Sequence, residues 1–372
     1  MAMELSPRKP VLLVMYVAVF CVLTASAKKV PVQTIGPIFI FGDSTMDVGT
    51  NNLIDNCKAR ADHPYYGIDY PGSQATGRFS NGLNTADTIV QLLGGYDFSP
   101  LPYLALVNDS SNFTREILNG VNFASGGAGL AKATGKAFYG QVISMEEQVQ
   151  QFKAVRGNIT AFLGESKGDN LLQNSMYILS IGSNDIMEYV FTHPMTPEQF
   201  VVNLTNTYAI HLKNLYCKGA RKFGIISIPP IGCCPIARSP PGSACSDEPN
   251  NLARACHASF ESLLKNMSST LKGFKYSVAN TYNMTMSIIT KPTDCMFSGF
   301  KDVKSACCGN LTTLGISECK KGAHLCKYRD DYLFWDGVHP TQKASKLAAN
   351  AIVFSQDPDF VSPINFSSLR NA

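Results

Sequence analysis

The sequence predicts an α/β domain built on a parallel sheet covered on both faces. Short runs rich in aromatic and β-branched residues alternate with longer segments of helical periodicity along the 372 residues. The runs are apolar on both sides, as strands buried on two faces are. Glycine or small polar residues cluster just after the first three runs, on the sheet edge where open α/β domains place their chemistry.

In chain order the first feature is Val11 to Val22, an apolar segment behind Arg8 and Lys9 that ends in Ala25-Ser26-Ala27. A basic start, a short apolar centre and small residues before a cut describe a secretory signal peptide over residues 1–27, with Lys28 as the mature N-terminus and 28–372 as a single domain. The segment is too short for an ordinary membrane span, and no later segment reads as one. The tail Ser368 to Ala372 carries no retention or anchor signal, so release from the cell is expected.

Pro37 to Phe41 is the first strand and stops at Gly42-Asp43-Ser44. A polar loop, Asn51 to Gly77, contains His63-Pro64-Tyr65-Tyr66-Gly67 and is either a wall of a substrate site or a plain surface loop. Gly77 to Gly82 is a turn and Asn84 to Leu93 a helix. Ile117 to Phe123 is the second strand, leading into the glycine-rich turn Ala124 to Gly129. Ser144 to Val155 sets Met145, Val149, Phe152 and Val155 on one helical face. Ser175 to Ile181 is the third strand, ending in Gly182-Ser183-Asn184-Asp185. Thr196 to Cys217 is a helix with Pro197 in its first turn. Lys222 to Ile228 is the fourth strand, Asn250 to Leu271 a long helix and Tyr276 to Thr281 the fifth strand. A cysteine-rich irregular segment runs to Arg329, and Pro340 opens the last helix, Thr341 to Phe354.

Composition narrows the class. The chain is 45% hydrophobic and 16% charged, long enough for a large core, and these bulk numbers leave one large α/β domain and two smaller ones equally open. A net charge of +4 without basic clusters argues against nucleic acid as a partner. Eight Asn-x-Ser/Thr sequons, at Asn108, Asn112, Asn158, Asn203, Asn266, Asn283, Asn310 and Asn365, fit a glycosylated secreted surface. Of twelve cysteines, Cys21 belongs to the leader. Most of the rest cluster, Cys233 and Cys234 with Cys245 and Cys256, then Cys295, Cys307, Cys308, Cys319 and Cys326. In an oxidising compartment they read as loop staples, with at least one thiol left over. No Cys/His set at zinc spacing is present, and no metal or organic cofactor is expected.

The chemistry rests on a constellation. Taken alone, Ser44 reads as a helix cap. Asp336 and His339 change that reading. Three residues apart and just before a helix, they let a carboxylate hold the imidazole Nδ1–H and leave Nε2 to take a proton from a serine. A weak nucleophile also needs donors for the oxyanion it creates. Ser44 brings its own backbone N–H, the glycine turn a second, and the Asn184 amide a third.

Four blocks carry a resemblance: Phe41-Gly42-Asp43-Ser44 with Asp47 and Gly49-Thr50-Asn51-Asn52, Val121 to Gly129, Ile181 to Asp185, and Asp336-Gly337-Val338-His339-Pro340-Thr341. In order and spacing they resemble the plant-type GDSL esterase/lipase family of the SGNH hydrolase superfamily, over roughly Pro37 to Phe366. Gly77 to Gly82, Pro229 to Cys233, Cys307-Cys308-Gly309 and Tyr332 to Asp336 agree with it. The resemblance implies a three-layer α/β/α, flavodoxin-like domain with a mostly parallel five-stranded sheet. It implies Ser44 as nucleophile, His339 as base then acid and Asp336 as orienter. The implied oxyanion donors are Ser44 N–H, Gly127 N–H (with Gly126 adjacent as the alternative) and Asn184. Thr45 departs from the pattern, standing where the family name places leucine.

The expected function is a secreted serine ester hydrolase acting through an acyl-enzyme on Ser44. An acyltransferase using the same residues is the alternative within the family. A non-catalytic extracellular binding or storage glycoprotein is the alternative outside it, and the complete catalytic set weighs against that. Candidate substrates run from small or polymer-borne acetyl esters to long-chain lipid esters. Leu101, Pro102, Tyr103 and Leu104 are candidates either for binding an acyl chain or for packing on the core. The sequence leaves the oligomeric state open.

Overall fold

Successive side chains of a strand point to opposite faces, and here each face meets its own helical layer. In β1 (Ile38–Gly42), Phe39 and Phe41 join one buried cluster while Ile38 and Ile40 join another. Tyr177 and Leu179 divide from Met176 and Ile178 in the same way in β3 (Met176–Ser180). Every residue of both strands is buried, which is why they read as apolar runs rather than alternating ones. The structure, a computed structural model, describes residues 36–372 except 95, 110, 239, 241, 292–298, 313–314 and 317–318. These belong to one compact unit, Ile35–Ala372. The expected leader 1–27 with Cys21, the cut before Lys28, and Cys295 lie outside the described residues.

Five parallel strands are present as expected. With β2 (Gly120–Asn122), β4 (Lys222–Ile226) and β5 (Lys275–Ala279), the order across the sheet is β2-β1-β3-β4-β5. This is the flavodoxin-like order, in which the chain reverses its winding direction at β1 and β3. Residues following those two strands therefore face a common crevice. A sixth strand, β6 (Val361–Ser362), adds antiparallel to the outer edge of β5. Two residues carry too little pattern to be foreseen. It leads to a short helix, α8 (Phe366–Asn371), that buries Phe366 and Leu369, so Gln342–Phe354 is not the last helix as expected.

One layer holds α2 (Met145–Leu163), α3 (Ser183–Thr192), α4 (Pro197–Cys217) and α5 (Asp247–Thr270); the other holds α1 (Thr85–Leu93), α6 (Thr281–Thr290), α7 (Gln342–Phe354) and α8. Sequence-encoded caps start three of them. Asn84 with Asp87, Ser144 with Glu147, and Thr196 with Gln199 each form a reciprocal capping box. The second strand is shorter than expected, because Ile117 closes a short helix, Phe113–Glu116, instead of extending the strand.

A third buried cluster lies outside the layers. Trp335 and Tyr66 pack there with Phe79 and Cys307, Cys308, Cys319 and Cys326. Among the described residues the disulfides are Cys233–Cys245, Cys307–Cys326 and Cys308–Cys319. Cys234 and Cys256 are unpaired and buried, so they pack in the core rather than staple loops. Cys57 and Cys217 are also unpaired.

Candidate active site

The β1 strand delivers Ser44 through a tight turn. Gly42 has φ of 155°, and a Cβ there would lie 2.3 Å from the Ser180 carbonyl oxygen, so only glycine fits beside β3. Gln148 of α2 anchors Gly42 from the other side, accepting from its N–H at 2.9 Å and donating to its carbonyl at 2.8 Å. Asp43 N–H donates to Ser180 O, and the Met46 and Asp47 N–H groups turn back to Asp43 O. Ser44 is left at the bend, half-buried, at the carboxyl end of the sheet.

Asp47 ties that turn to the glycine-rich one. Its Oδ1 accepts from Gly49 N–H and Thr50 N–H, and its Oδ2 accepts from Gly126 N–H at 2.9 Å. Asn51 Nδ2 donates to the Gly126 carbonyl. Gly126 is thus held on both sides and its N–H is spent. Gly127, at φ 83°, has no hydrogen-bond partner for its N–H among the described residues, nor has Ser44. From the end of β3, Asn184 is held by Nδ2 donation to Ala128 O at 2.9 Å, which uses one of its two amide hydrogens. Its neighbour Asp185 accepts from Leu130 N–H, Ala131 N–H and Thr134 Oγ1, fastening α3 to the same glycine turn.

The imidazole arrives from a distant part of the sequence. His339 Nε2 lies 2.7 Å from Ser44 Oγ, and His339 Nδ1 lies 2.8 Å from Asp336 Oδ2. Asp336 Oδ1 also accepts from the backbone N–H groups of Val338 and His339. Trp335 N–H donates to His339 O and Cys308 N–H to Trp335 O, so the disulfide-bonded segment grips the loop from outside. Phe79 lies against the imidazole with ring centres 4.9 Å apart.

The buried carboxylates divide by environment. Burial raises the Asp336 carboxyl, but the neighbouring His339 charge and the hydrogen bonds from His339 and Val338 outweigh it, and its pKa falls below the ordinary value. For Asp43, Asp47 and Asp185, burial prevails over the hydrogen bonds each accepts, and all three are pushed up to about 6. Asp43 Oδ2 is buried without a partner among the described residues.

Ser44, His339 and Asp336 stand in one hydrogen-bonded line, Asn184 lines the same cavity as Ser44, and Gly127 follows the Gly126 that Asp47 holds. The sequence leaves two loops open between lining a substrate site and packing elsewhere. Leu101 to Leu104 do not line the cavity that opens at Ser44. Leu101 is exposed, and Tyr103 packs on Phe113 and Phe123. The Asn51–Gly77 loop does not line that cavity either. Its Tyr66 instead donates to Asp336 Oδ2 at 2.8 Å, a role with no signature in the sequence. Among the sequons, Asn108, Asn112, Asn158, Asn203, Asn266 and Asn310 are exposed and Asn283 half-buried. Asn365 is instead buried, caps α8 by accepting from Ser368 N–H and donates its amide to Ser355 O.

Among the described residues no helix is long and apolar enough to cross a membrane, and no group of three or more His, Cys, Asp or Glu side chains is arranged to hold a metal ion. The model of the GDSL-like Lipase/Acylhydrolase family matches residues 38–352. Three Arabidopsis thaliana proteins, each named a GDSL esterase/lipase, are similar over nearly their whole length. One is 33% identical over 97% of this chain and 96% of its own, a second 34% over 92% and 96%, and a third 34% over 91% and 88%. The chain belongs to the GDSL-like lipase/acylhydrolase family, a family of carboxylic ester hydrolases.

Proposed function

We propose that the protein hydrolyses carboxylic esters through an acyl-enzyme on Ser44. The observation that carries this reading is the 2.7 Å approach of His339 Nε2 to Ser44 Oγ, with Asp336 behind the ring. Ser44 Oγ attacks the ester carbonyl as His339 takes its proton. Asp336 stays ionised, fixes the ring's tautomer and offsets the charge of the imidazolium. The N–H groups of Ser44 and Gly127 and the second amide hydrogen of Asn184 hold the oxyanion. Gly127 is preferred to Gly126 because Asp47 already occupies the Gly126 N–H. His339 then protonates the departing alkoxide. Water attacks the acyl-enzyme with His339 again as base, and Ser44 is released.

The test is hydrolysis of p-nitrophenyl esters, from acetate to palmitate, by wild type and Ser44→Ala. Loss of about 10³-fold or more in kcat is expected, given how strongly a serine nucleophile and its base act as a unit. A folded Ser44→Ala protein that keeps substantial turnover overturns the assignment.

The chain is also read as exported and glycosylated. The leader pattern of residues 1–27, three disulfides and six exposed sequons support this. Protein recovered from culture medium should begin at Lys28 and lose mass on glycosidase treatment. Retention inside the cell without glycan would count against export.

A further inference from the structure

Behind Ser44 the cavity continues as a groove between α6 and α7. Both helices start at the catalytic edge, α6 directly after β5 and α7 directly after His339-Pro340, so both lead away from the serine. Both line the groove with apolar side chains at helical spacing, Met284 and Ile288 from α6 and Ala344, Ala348 and Ile352 from α7, beside the polar Thr281, Thr285 and Ser345. Ile226 of β4 also lines it, while Ser44, Asn184 and His339 stand at its mouth. The small Ala344 and Ala348 leave room, and Ile352, fully buried, lies farthest along the α7 stripe.

Resting on the esterase reading above, we propose that this groove holds the acyl chain of the substrate and sets its length, with Ala348 and Ile352 as the length-determining positions. At 1.5 Å rise per residue, Ala344 to Ile352 spans about 12 Å. An extended alkyl chain advances about 1.25 Å per carbon from its bond lengths and angles, so the groove takes about eight to ten carbons. The acyl side is the occupant for a chemical reason. The acyl group stays on Ser44 between the two halves of the reaction, whereas the alcohol must leave and water must enter. A chain lying in the groove keeps the mouth clear for both. An alcohol held there would have to withdraw past the acyl-enzyme.

The experiment compares kcat/KM along two ester series, p-nitrophenyl esters of growing acyl chain and acetate esters of growing alkyl alcohol. Wild type should prefer octanoate or decanoate to both acetate and palmitate. Ala348→Phe should lower the decanoate-to-acetate ratio at least ten-fold. Ile352→Ala should move the optimum toward longer acyl chains. The ratio is taken within one protein, so it does not depend on the amount folded, and partly exposed Ala348 tests the groove if the buried Ile352→Ala variant fails to fold. An unchanged ratio in Ala348→Phe, or a response confined to the alcohol series, overturns the proposal. Absence of turnover with every ester in wild type would instead remove the esterase reading itself.

Discussion

Tyr66 Oη donates a 2.8 Å hydrogen bond to Asp336 Oδ2, joining residues 270 positions apart. The carboxylate hydrogen-bonded to His339 is thereby held from the loop side as well as by backbone N–H groups of its own loop. Tyr66 also lies against Trp335 and Phe79, so the phenol and its ring do separate work. Hydrogen bonds to charged groups contribute about 1.5–3 kcal/mol, and Tyr66→Phe removes the bond to Asp336 while keeping the ring. We expect kcat to fall about ten-fold with KM little changed, and Tyr66→Ala to cost thermal stability as well. Unchanged kinetics in Tyr66→Phe would reduce Tyr66 to a packing residue.

Asn184 presents one amide hydrogen to Ala128 O and has a second to offer. If that second hydrogen serves only the transition state, its loss appears in kcat and not in binding. Removing one oxyanion donor typically costs about 10²–10³ in kcat. Asn184→Ala should show that loss, with a KM near that of wild type and a far-UV spectrum unchanged. A raised KM at wild-type kcat would instead make Asn184 a substrate-binding residue.

The Asp43 carboxyl titrates at about 6 in the folded protein because it is buried, against an ordinary value of 3.8. The folded state therefore binds more protons than the unfolded chain between those values, and stability falls as pH rises through that window. From pH 4.5 to 7.5 the loss attributable to this group is about 2 kcal/mol at 1.36 kcal/mol per unit. Asp47 and Asp185 act in the same direction, whereas Asp336, depressed, loses its contribution only as pH falls through its lowered value. Asn does not titrate. Urea unfolding of Asp43→Asn at the two pH values should show a drop smaller than that of wild type by about this amount. An identical drop would remove Asp43 from the pH response.

What was legible in the sequence was what local context marks. Ser44 and Asn184 stand directly after buried strands, and His339 directly before a helix, so strand ends and helix starts located them. Tyr66 has no such marker, since its partner is set by the fold alone. The α3 helix was hidden because its first turn, Ser183-Asn184-Asp185, has the composition of a loop; only Ile186 and Tyr189, three apart and buried, betrayed it. The α6 helix is rich in Thr and Ile, which favour strands, and its signal was Met284 and Ile288 at four-residue spacing. The groove was beyond reach for a different reason. Apolar periodicity says that a helix face is buried, not that small side chains on it leave space.

Thr45 departs from the leucine of the family name, and it is wired into the Ser44 turn. Its Oγ1 donates to Asp43 Oδ1 at 2.8 Å, its N–H donates to the same oxygen, and Ser180 Oγ lies 3.1 Å away. The side chain also lines the mouth of the groove. Two effects are therefore superposed, a hydrogen bond to a buried carboxyl and a polar atom on the substrate wall. Thr45→Val keeps the shape and removes the hydroxyl, so it should lower stability by about 1–3 kcal/mol, the cost of a lost bond to a charged group. Thr45→Leu should lose the same bond but add apolar wall, raising the preference for octanoate over acetate several-fold relative to Thr45→Val, since each buried methylene is worth about 0.8 kcal/mol. Denaturant midpoints of the two variants measure the first effect and ester ratios the second. If valine is as stable as threonine while leucine still shifts the ratio, the hydroxyl is dispensable to the turn and the departure acts on the substrate alone.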